Sequence, residues 1–408
     1  MKGLRLVANG HFSLKKWALD TPAAIVDYGV LVRNIARMSE RARQTGVKLR
    51  PHTKTHKSPA IAHLQLRHGA SGITVAKLGE AEVMAQAGID DILVAYPLVG
   101  EEKIRRLLNL RRWVSRVACT VDSVEAARAL SAAALENDPQ LPEPIEVYVE
   151  VDVGLHRVGQ AAGEAAVEFA KEIAPLPGIH IRGLLTHAGQ AHAAANDGEL
   201  RSIAQTEVVL MAETARMIRD AGIAIEEISI GSTPTMSVFE DAGGTTEIRP
   251  GTYVFNDTDL VGLGVAGVAD CALTVLATVI SKPEEDRLVL DSGSKTLSSE
   301  KPGDPRIPGH GIIKGFPDLY LERLNEEHGM VRVQPGVTAQ WQVREAGMMA
   351  PSEAERKRKT PRIPRIGEKV EIIPNHACVV TNLFDRFLVV QGDEVIAEWD
   401  IPGRGKLR

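Results

Sequence analysis

From Val47 to Phe255 the chain alternates short runs of β-branched and other apolar residues with longer stretches whose apolar positions recur at helical spacing. The short runs are VKLRP (47–51), GITVA (72–76), DILVAY (91–96), RVACTV (116–121), IEVYVEVD (145–152), IHIRGLLTH (179–187), IEEISIG (225–231) and TEIRPGTYVF (246–255). Between them lie stretches such as GEAEVMAQAG (79–88) and LRSIAQTEVVLMAETARMIRDAG (200–222). In the second, Val209, Leu210, Thr214 and Ile218 fall near one helical face and Gly222 is a stop signal. Eight strand–helix units in succession predict a parallel sheet closed into a (β/α)8 TIM barrel, with the active site at the carboxyl ends of its strands.

Beyond about Thr258 the pattern changes. ALTVLATVISKP, DRLVLDSGS, KVEIIPNHACVV and RFLVVQGDEVIAEWDI read as strands joined by turns, with no long helix between them, and predict a separate β-rich domain. The early run TPAAIVD (21–27) would be a ninth barrel strand, so it is assigned with the N-terminal segment to that domain. The boundaries drawn, 22–257 for the barrel and 1–21 with 258–408 for the β-rich domain, nonetheless leave positions 22–27 of that run within the barrel's range. The charged, proline-bearing stretch at 345–365 reads as an exposed insertion.

Composition narrows the function more than the fold. The 408 residues carry 48 basic and 53 acidic side chains, a net charge of −5, too near balance for nucleic acid or an anionic membrane to be the main partner. A small-molecule function is expected. Three scattered cysteines argue against a disulfide framework and for a reducing compartment. The N-terminal stretch has no apolar core of signal-peptide length, and no run approaches the ~18 apolar residues that span a bilayer. A cytoplasmic protein is expected.

The nonapeptide RPHTKTHKS, Arg50 to Ser58, follows the first barrel run and so belongs at the catalytic rim. A lysine there, desolvated and flanked by cations, has the depressed pKa that a Schiff-base lysine needs. Taken alone, the nonapeptide fits a solvated basic turn equally well. Other strand ends shift the balance: Arg157 in VEVDVGLHRVG, the Gly-Ser-Thr turn of ISIGSTPT, and Gly251 and Tyr253 in EIRPGTYVFND. Amides and hydroxyls of such a turn suit a phosphate monoester. A rim lysine, a phosphate cup and an arginine together describe a pyridoxal phosphate site.

In this order, TPAAIVD, LRPHTKTHK, GITVAKLGEAE, VEVDVGLHRVG, IGSTPT and EIRPGTYVFND resemble the barrel of alanine-racemase-type (fold type III) pyridoxal phosphate enzymes. DSGSKTLSSE, EEHG and PNHAC resemble the C-terminal half of the D-threonine aldolase and D-serine dehydratase-like family. The resemblance implies that Lys54 carries the cofactor as a Schiff base and that Arg157 neighbours its 3-hydroxyl. It further implies that Gly231, Ser232, Thr233, Gly251 and Tyr253 hold the phosphate, with Lys57 a structural or electrostatic neighbour. It also implies a homodimer, since such enzymes build the site where a barrel meets a partner's β-domain.

In PNHAC, His376 and Cys378 stand two residues apart on a predicted strand, hence on one face. Imidazole plus thiolate suits a divalent ion, the sulfur favouring zinc over magnesium; a buried cysteine beside a structural histidine is the alternative. In the family this position binds the metal that takes the substrate's β-hydroxyl, with aspartate or cysteine as second ligand, so the implied ion is Zn, Mn or Mg. In THAGQAH, His187 and His192 follow another strand. The resemblance puts His187 among the cofactor-binding residues, with a ring-packing or hydrogen-bonded structural role still open, and makes His192 the base of the aldolase branch. Cys378 instead resembles the zinc dehydratases. The implied activity is cleavage of a D-3-hydroxy amino acid, D-threonine foremost, to glycine and an aldehyde. The alternative is elimination from D-serine or D-3-hydroxyaspartate to a 2-oxo acid and ammonia. A racemase has no use for the metal pair, and a non-catalytic cofactor carrier has no use for the β-rich domain.

Overall fold

The computed structural model describes residues 4–5, 14–137, 143–304, 306–338, 341 and 361–408. Most of the expected 345–365 insertion lies outside them. The chain divides into two compact units. One comprises Ala36–Lys54, Ile61–Gly251 and Gly405–Arg408; the other comprises Met1–Ile35, Thr55–Ala60 and Thr252–Arg404. Among the described residues no helix is long and apolar enough to cross a membrane.

The first unit is the barrel, and each of its expected strands forms. In sheet order they are Lys48–Leu49, Glu247–Ile248, Glu227–Ile230, Ile179–Leu185, Ile145–Asp152, Arg116–Val121, Asp91–Pro97 and Ile73–Val75. All neighbours are parallel. His52, just past the first strand, forms a parallel bridge with Thr74 in the last, so the row joins on itself. Successive strand residues face opposite ways. Ile228, Ile230 and Ile248 are buried on one side, while Glu227, Ser229 and Glu247 alternate with them on the other. That second set builds a polar barrel interior. Ser229 Oγ donates to Glu247 Oε1 at 2.6 Å, and Arg50 Nε donates to Glu247 Oε2 at 2.7 Å. Arg50 also donates to both Asp91 oxygens, at 2.6 and 3.0 Å.

The long helix Asp197–Asp220 starts at Asn196, whose side chain accepts the Glu199 N–H at 3.0 Å. It buries Leu200, Ala204, Glu207, Val208, Met211, Thr214, Ala215 and Ile218. This corrects the expected face: Thr214 and Ile218 point inward, but Val209 is exposed and Leu210 is half-buried. The stripe at 3.6-residue spacing runs through Ala204, Val208, Met211 and Ala215, and a charged residue at 207 interrupts it in the sequence.

The second unit is the β-rich one. Ala23–Asp27 pairs antiparallel with Leu273–Glu284 and parallel with Arg386–Gln391, which puts the TPAAIVD run in this sheet rather than in the barrel. Leu273–Glu284 also pairs with Arg287–Leu290 and Lys369–Ile373, and Arg386–Gln391 forms a hairpin with Glu394–Asp400. Ile25, Leu276 and Val390 close one of its cores, with Phe255 packed edge-on against Phe387 at 5.4 Å between ring centres.

Candidate functional site

Lys54 lies half-buried in the 3-10 turn Thr53–Thr55, immediately past the first barrel strand, and its N–H donates to His52 Nδ1 at 3.3 Å. The charge of the nonapeptide disperses. Arg50 turns into the barrel to meet Asp91 and Glu247, so the expectation of a lysine flanked by unpaired cations does not extend to it. His56, Lys57 and Ser58 are buried in the β-rich unit. There Lys57 adopts φ 51°, with its carbonyl accepting the Gly403 N–H at 3.1 Å.

His187 follows strand Ile179–Leu185, with Nδ1 3.5 Å from the Gly231 carbonyl. Burial pushes its pKa well down, and the positive charges of Lys54, Arg157 and Arg249, with His192, push the same way. The ring is neutral at physiological pH. Three of the groups whose charge acts on this imidazole are the other candidates Lys54, Arg157 and His192, which places them near His187 beyond the carboxyl ends of the barrel strands. His192 sits in the turn Gly189–Ala193. Arg157 is exposed on the loop after Ile145–Asp152, a loop folded by Asp152 Oδ1, which accepts the Gly154 and His156 amides at 2.9 and 3.0 Å.

The Gly-Ser-Thr turn is buried. Gly231 takes φ 108°, a conformation that favours glycine, and its N–H donates to Glu207 Oε1 at 3.0 Å. Ser232 caps the short helix Thr233–Ser237 in a reciprocal box: its N–H donates to Thr235 Oγ1 at 3.0 Å and its Oγ accepts the Thr235 N–H at 3.4 Å. Gly251 is the last barrel-unit residue before the chain passes into the β-rich unit, where Tyr253 is buried in the turn Thr252–Val254. The barrel unit by itself therefore gathers every candidate cofactor residue except Tyr253.

Three functional candidates went unread in the sequence. Arg249 is buried, donating to Ser229 Oγ at 2.6 Å and to the Thr186 carbonyl, and burial lowers its pKa. Its alternation with Ile248 was the available signal. Glu207 reaches the turn from the long helix. Glu150 is buried, which raises its pKa against the pull of Arg249 and Arg157. Glu150 Oε2 and Gln190 Oε1 are buried with no hydrogen-bond partner among the described residues. Buried acceptors without a partner are rare and call for an explanation. An amine, two guanidinium groups and a hydroxyl-bearing turn fit a phosphorylated pyridine aldehyde.

In the β-rich unit, Lys369–Ile373 ends before Pro374, which has no N–H for the ladder. His376 is the N-cap of helix Ala377–Thr381. This corrects the expected strand: His376 and Cys378 straddle a helix start. The side chains nevertheless meet. Burial lowers the His376 pKa, but its hydrogen bond to Cys378 and the nearby Asp257 and Glu300 outweigh that and raise it to about 10. His376 Nδ1 lies 3.0 Å from Glu300 Oε2, and Cys378 Sγ lies 3.2 Å from Thr55 Oγ1. Asp257, its own pKa pushed up to about 7 by burial, accepts the Ala377 N–H at 3.0 Å and so fixes the helix start. Among the described residues no group of three or more His, Cys, Asp or Glu side chains is arranged to hold a metal. A nitrogen–sulfur pair fits a borderline-soft divalent ion whose other positions go to water or substrate.

The model of the alanine racemase N-terminal domain matches residues 26–259, and that of a putative serine dehydratase domain matches 272–390. The chain belongs to the alanine-racemase-type family, in its serine-dehydratase-like branch. This is a family of pyridoxal phosphate enzymes. The chain is 34% identical over 392 residues to the D-threo-3-hydroxyaspartate dehydratase of Delftia sp. (strain HT23), covering 94% of itself and 97% of that protein. It is 32% identical to the D-threonine aldolase of Arthrobacter sp, covering 95% of itself and 93% of that relative. A solved structure of D-threo-3-hydroxyaspartate dehydratase with alanine for a histidine superposes with a TM-score of 0.82 at 32% identity, covering 95% of this chain and 96% of that one. Another, with alanine for a cysteine two positions further on and in the metal-free form, gives 0.81 at 32% identity, covering 95% and 98%.

Proposed function

We propose that the chain is a pyridoxal 5'-phosphate- and divalent-metal-dependent lyase of D-3-hydroxy amino acids that cleaves Cα–Cβ, turning D-threonine into glycine and acetaldehyde. The supporting observation is the cluster of Lys54, Arg157 and His192 around the neutral ring of His187 at the end of the barrel where such sites form.

Pyridoxal phosphate, when bound, draws electrons from the substrate's α-carbon and leaves the protein to select the bond that breaks. Lys54 Nζ would carry it, Arg157 would donate to its 3-oxygen, and the Gly231–Ser232–Thr233 turn with Gly251 and Tyr253 would hold its phosphate. His187, kept neutral by burial, supports the ring without adding charge. His376 and Cys378 would hold a divalent ion that lowers the pKa of the substrate's β-hydroxyl. A ring nitrogen of His192 accepts that hydroxyl proton, and the O–H electrons become the new C=O bond as Cα–Cβ breaks.

Cys378 favours a second reading, because the dehydratase structures altered at a histidine and a cysteine two apart parallel the 376–378 spacing. Lys54 would then remove the Cα proton and hydroxide would leave, giving an enamine whose imine tautomer water hydrolyses to a 2-oxo acid and ammonia. The deciding assay incubates the pure protein, pyridoxal phosphate and a divalent ion with D-threonine, D-serine, D-3-hydroxyaspartate and, as a racemase control, D-alanine, and measures glycine against 2-oxo acid. Predominant glycine is expected. Predominant pyruvate or oxaloacetate with ammonia replaces the aldolase by the dehydratase, racemised alanine removes both, and no turnover points to a cofactor carrier.

We also propose a homodimer in a reducing, cytoplasmic setting. No disulfide joins Cys119, Cys271 and Cys378, which suits that compartment. A fully active monomer by light scattering would overturn the dimer.

A further inference from the structure

We propose that Glu207 is the positioning residue of the phosphate subsite, its carboxylate locking the Gly231 turn to the loop that carries His187 and His192. The inference rests on the pyridoxal phosphate reading above. Glu207 is 1% exposed on the inward face of helix Asp197–Asp220. A single oxygen, Oε1, accepts two backbone N–H groups: Gly231 at 3.0 Å and Ala188 at 3.2 Å. Ala188 follows His187 and leads into the turn of His192; Gly231 leads into Ser232 and Thr233. Two loops from neighbouring strands are thus fixed by one side chain of a third element.

The rest of the turn is already rigid. The Ser232–Thr235 box sets the helix start, and the Met236 side chain lies 3.2 Å from where a Cβ on Gly231 would stand. That box does not engage the peptide N–H of Gly231, which only Glu207 is seen to hold. A buried carboxylate is a costly way to fill this position. Leucine or methionine at 207 would continue the apolar stripe of Ala204, Val208 and Met211 without desolvating a charge. Burial raises the Glu207 pKa on balance, the Gly231 and Ala188 amides, the Thr235 hydroxyl and Arg249 opposing the rise without cancelling it, and the contacts that fix the loops are the two amide hydrogen bonds to Oε1. Orienting the Ile230–Gly231 peptide, from which the chain turns into Ser232 and Thr233, is the task this arrangement accomplishes, and the phosphate is the ligand group that depends on it.

The test compares dissociation constants of the full-length apoprotein for pyridoxal phosphate and for pyridoxal, which lacks the phosphate. Glu207→Gln keeps a carbonyl oxygen for both amides and should bind both ligands within about threefold of the unaltered protein. Glu207→Met removes the acceptor at similar volume, and should weaken pyridoxal phosphate by about 10–100-fold and pyridoxal, which feels only the loosened Ala188 loop, by clearly less. If Glu207→Met does not fold, Glu207→Asp, one methylene short of the amides, should show the same selective loss. A merely structural role would weaken both ligands alike; equal losses, or none, overturn the assignment while leaving the cofactor reading intact. An unaltered protein that binds pyridoxal phosphate no better than pyridoxal overturns the phosphate site itself, and the assignment with it.

Discussion

A buried imidazole surrounded by cations holds the clearest consequence at the scale of single residues. His187 has a folded-state pKa well below its ordinary value. Below about pH 6.5 the unfolded chain therefore takes up a proton that the folded chain refuses, and stability falls as pH falls. Urea midpoints compared at about pH 7.5 and pH 5.5 should drop for the unaltered apoprotein and drop less for His187→Asn; equal drops would mean that the ring is not held neutral. The two other candidates titrate the function instead. Borohydride should fix the cofactor on Lys54, and a label on Lys57 would refute its assignment. His192→Ala should cut aldol cleavage by about 10²–10⁴-fold, the ordinary weight of one acid–base group, with a steady-state assay as the check.

At the scale of elements, the alternation of strand residues decides what could be read in advance. All eight barrel strands were legible, because an apolar residue at every second position survives whatever lies between. What lay between was harder. Arg50 reads as rim charge beside Lys54, but the pleat turns it inward to Asp91 and Glu247, with its side chain 2% exposed. The PNHAC strand was misread because a run of apolar residues continues past Pro374, while the backbone stops pairing at Ile373 and Asp257 captures the Ala377 amide. Glu207 was invisible for a related reason: a single charge in an apolar stripe looks like a solvent position until its two long-range acceptor contacts are known. The barrel's buried pair is directly testable. Arg50→Met leaves the buried Glu247 carboxylate without its ion-pair partner and Asp91 with only Arg116, 3.7 Å away, and should destabilise the fold by about 3–5 kcal/mol, lowering the urea midpoint. Adding Glu247→Gln should recover part of that loss; an unchanged midpoint in the single variant would show that the network contributes nothing.

At the scale of the whole molecule, the candidate chemistry is split between the units: the cofactor lysine belongs to the barrel unit and the metal pair to the β-rich one. Under the proposed function, Lys54, Arg157 and the Gly231 turn would need no ion to take the cofactor, whereas the β-hydroxyl would need one to become acidic enough to react near neutral pH. Exhaustive chelation should therefore abolish most turnover while leaving the cofactor's absorbance in place, and a divalent ion should restore the rate. His376→Ala should behave as the chelated protein does, since the remaining thiolate alone gives an ion only one protein ligand. His376 is also the N-cap of its helix and lies against Glu300, so a fold-neutral control matters. His376→Asn offers the helix a capping side chain, which the histidine does not supply, and should lose turnover to the same extent without a lower melting temperature. Full activity after chelation, with no metal by elemental analysis, would leave His376 and Cys378 as a structural contact, and activation of the hydroxyl would then fall to protein side chains alone.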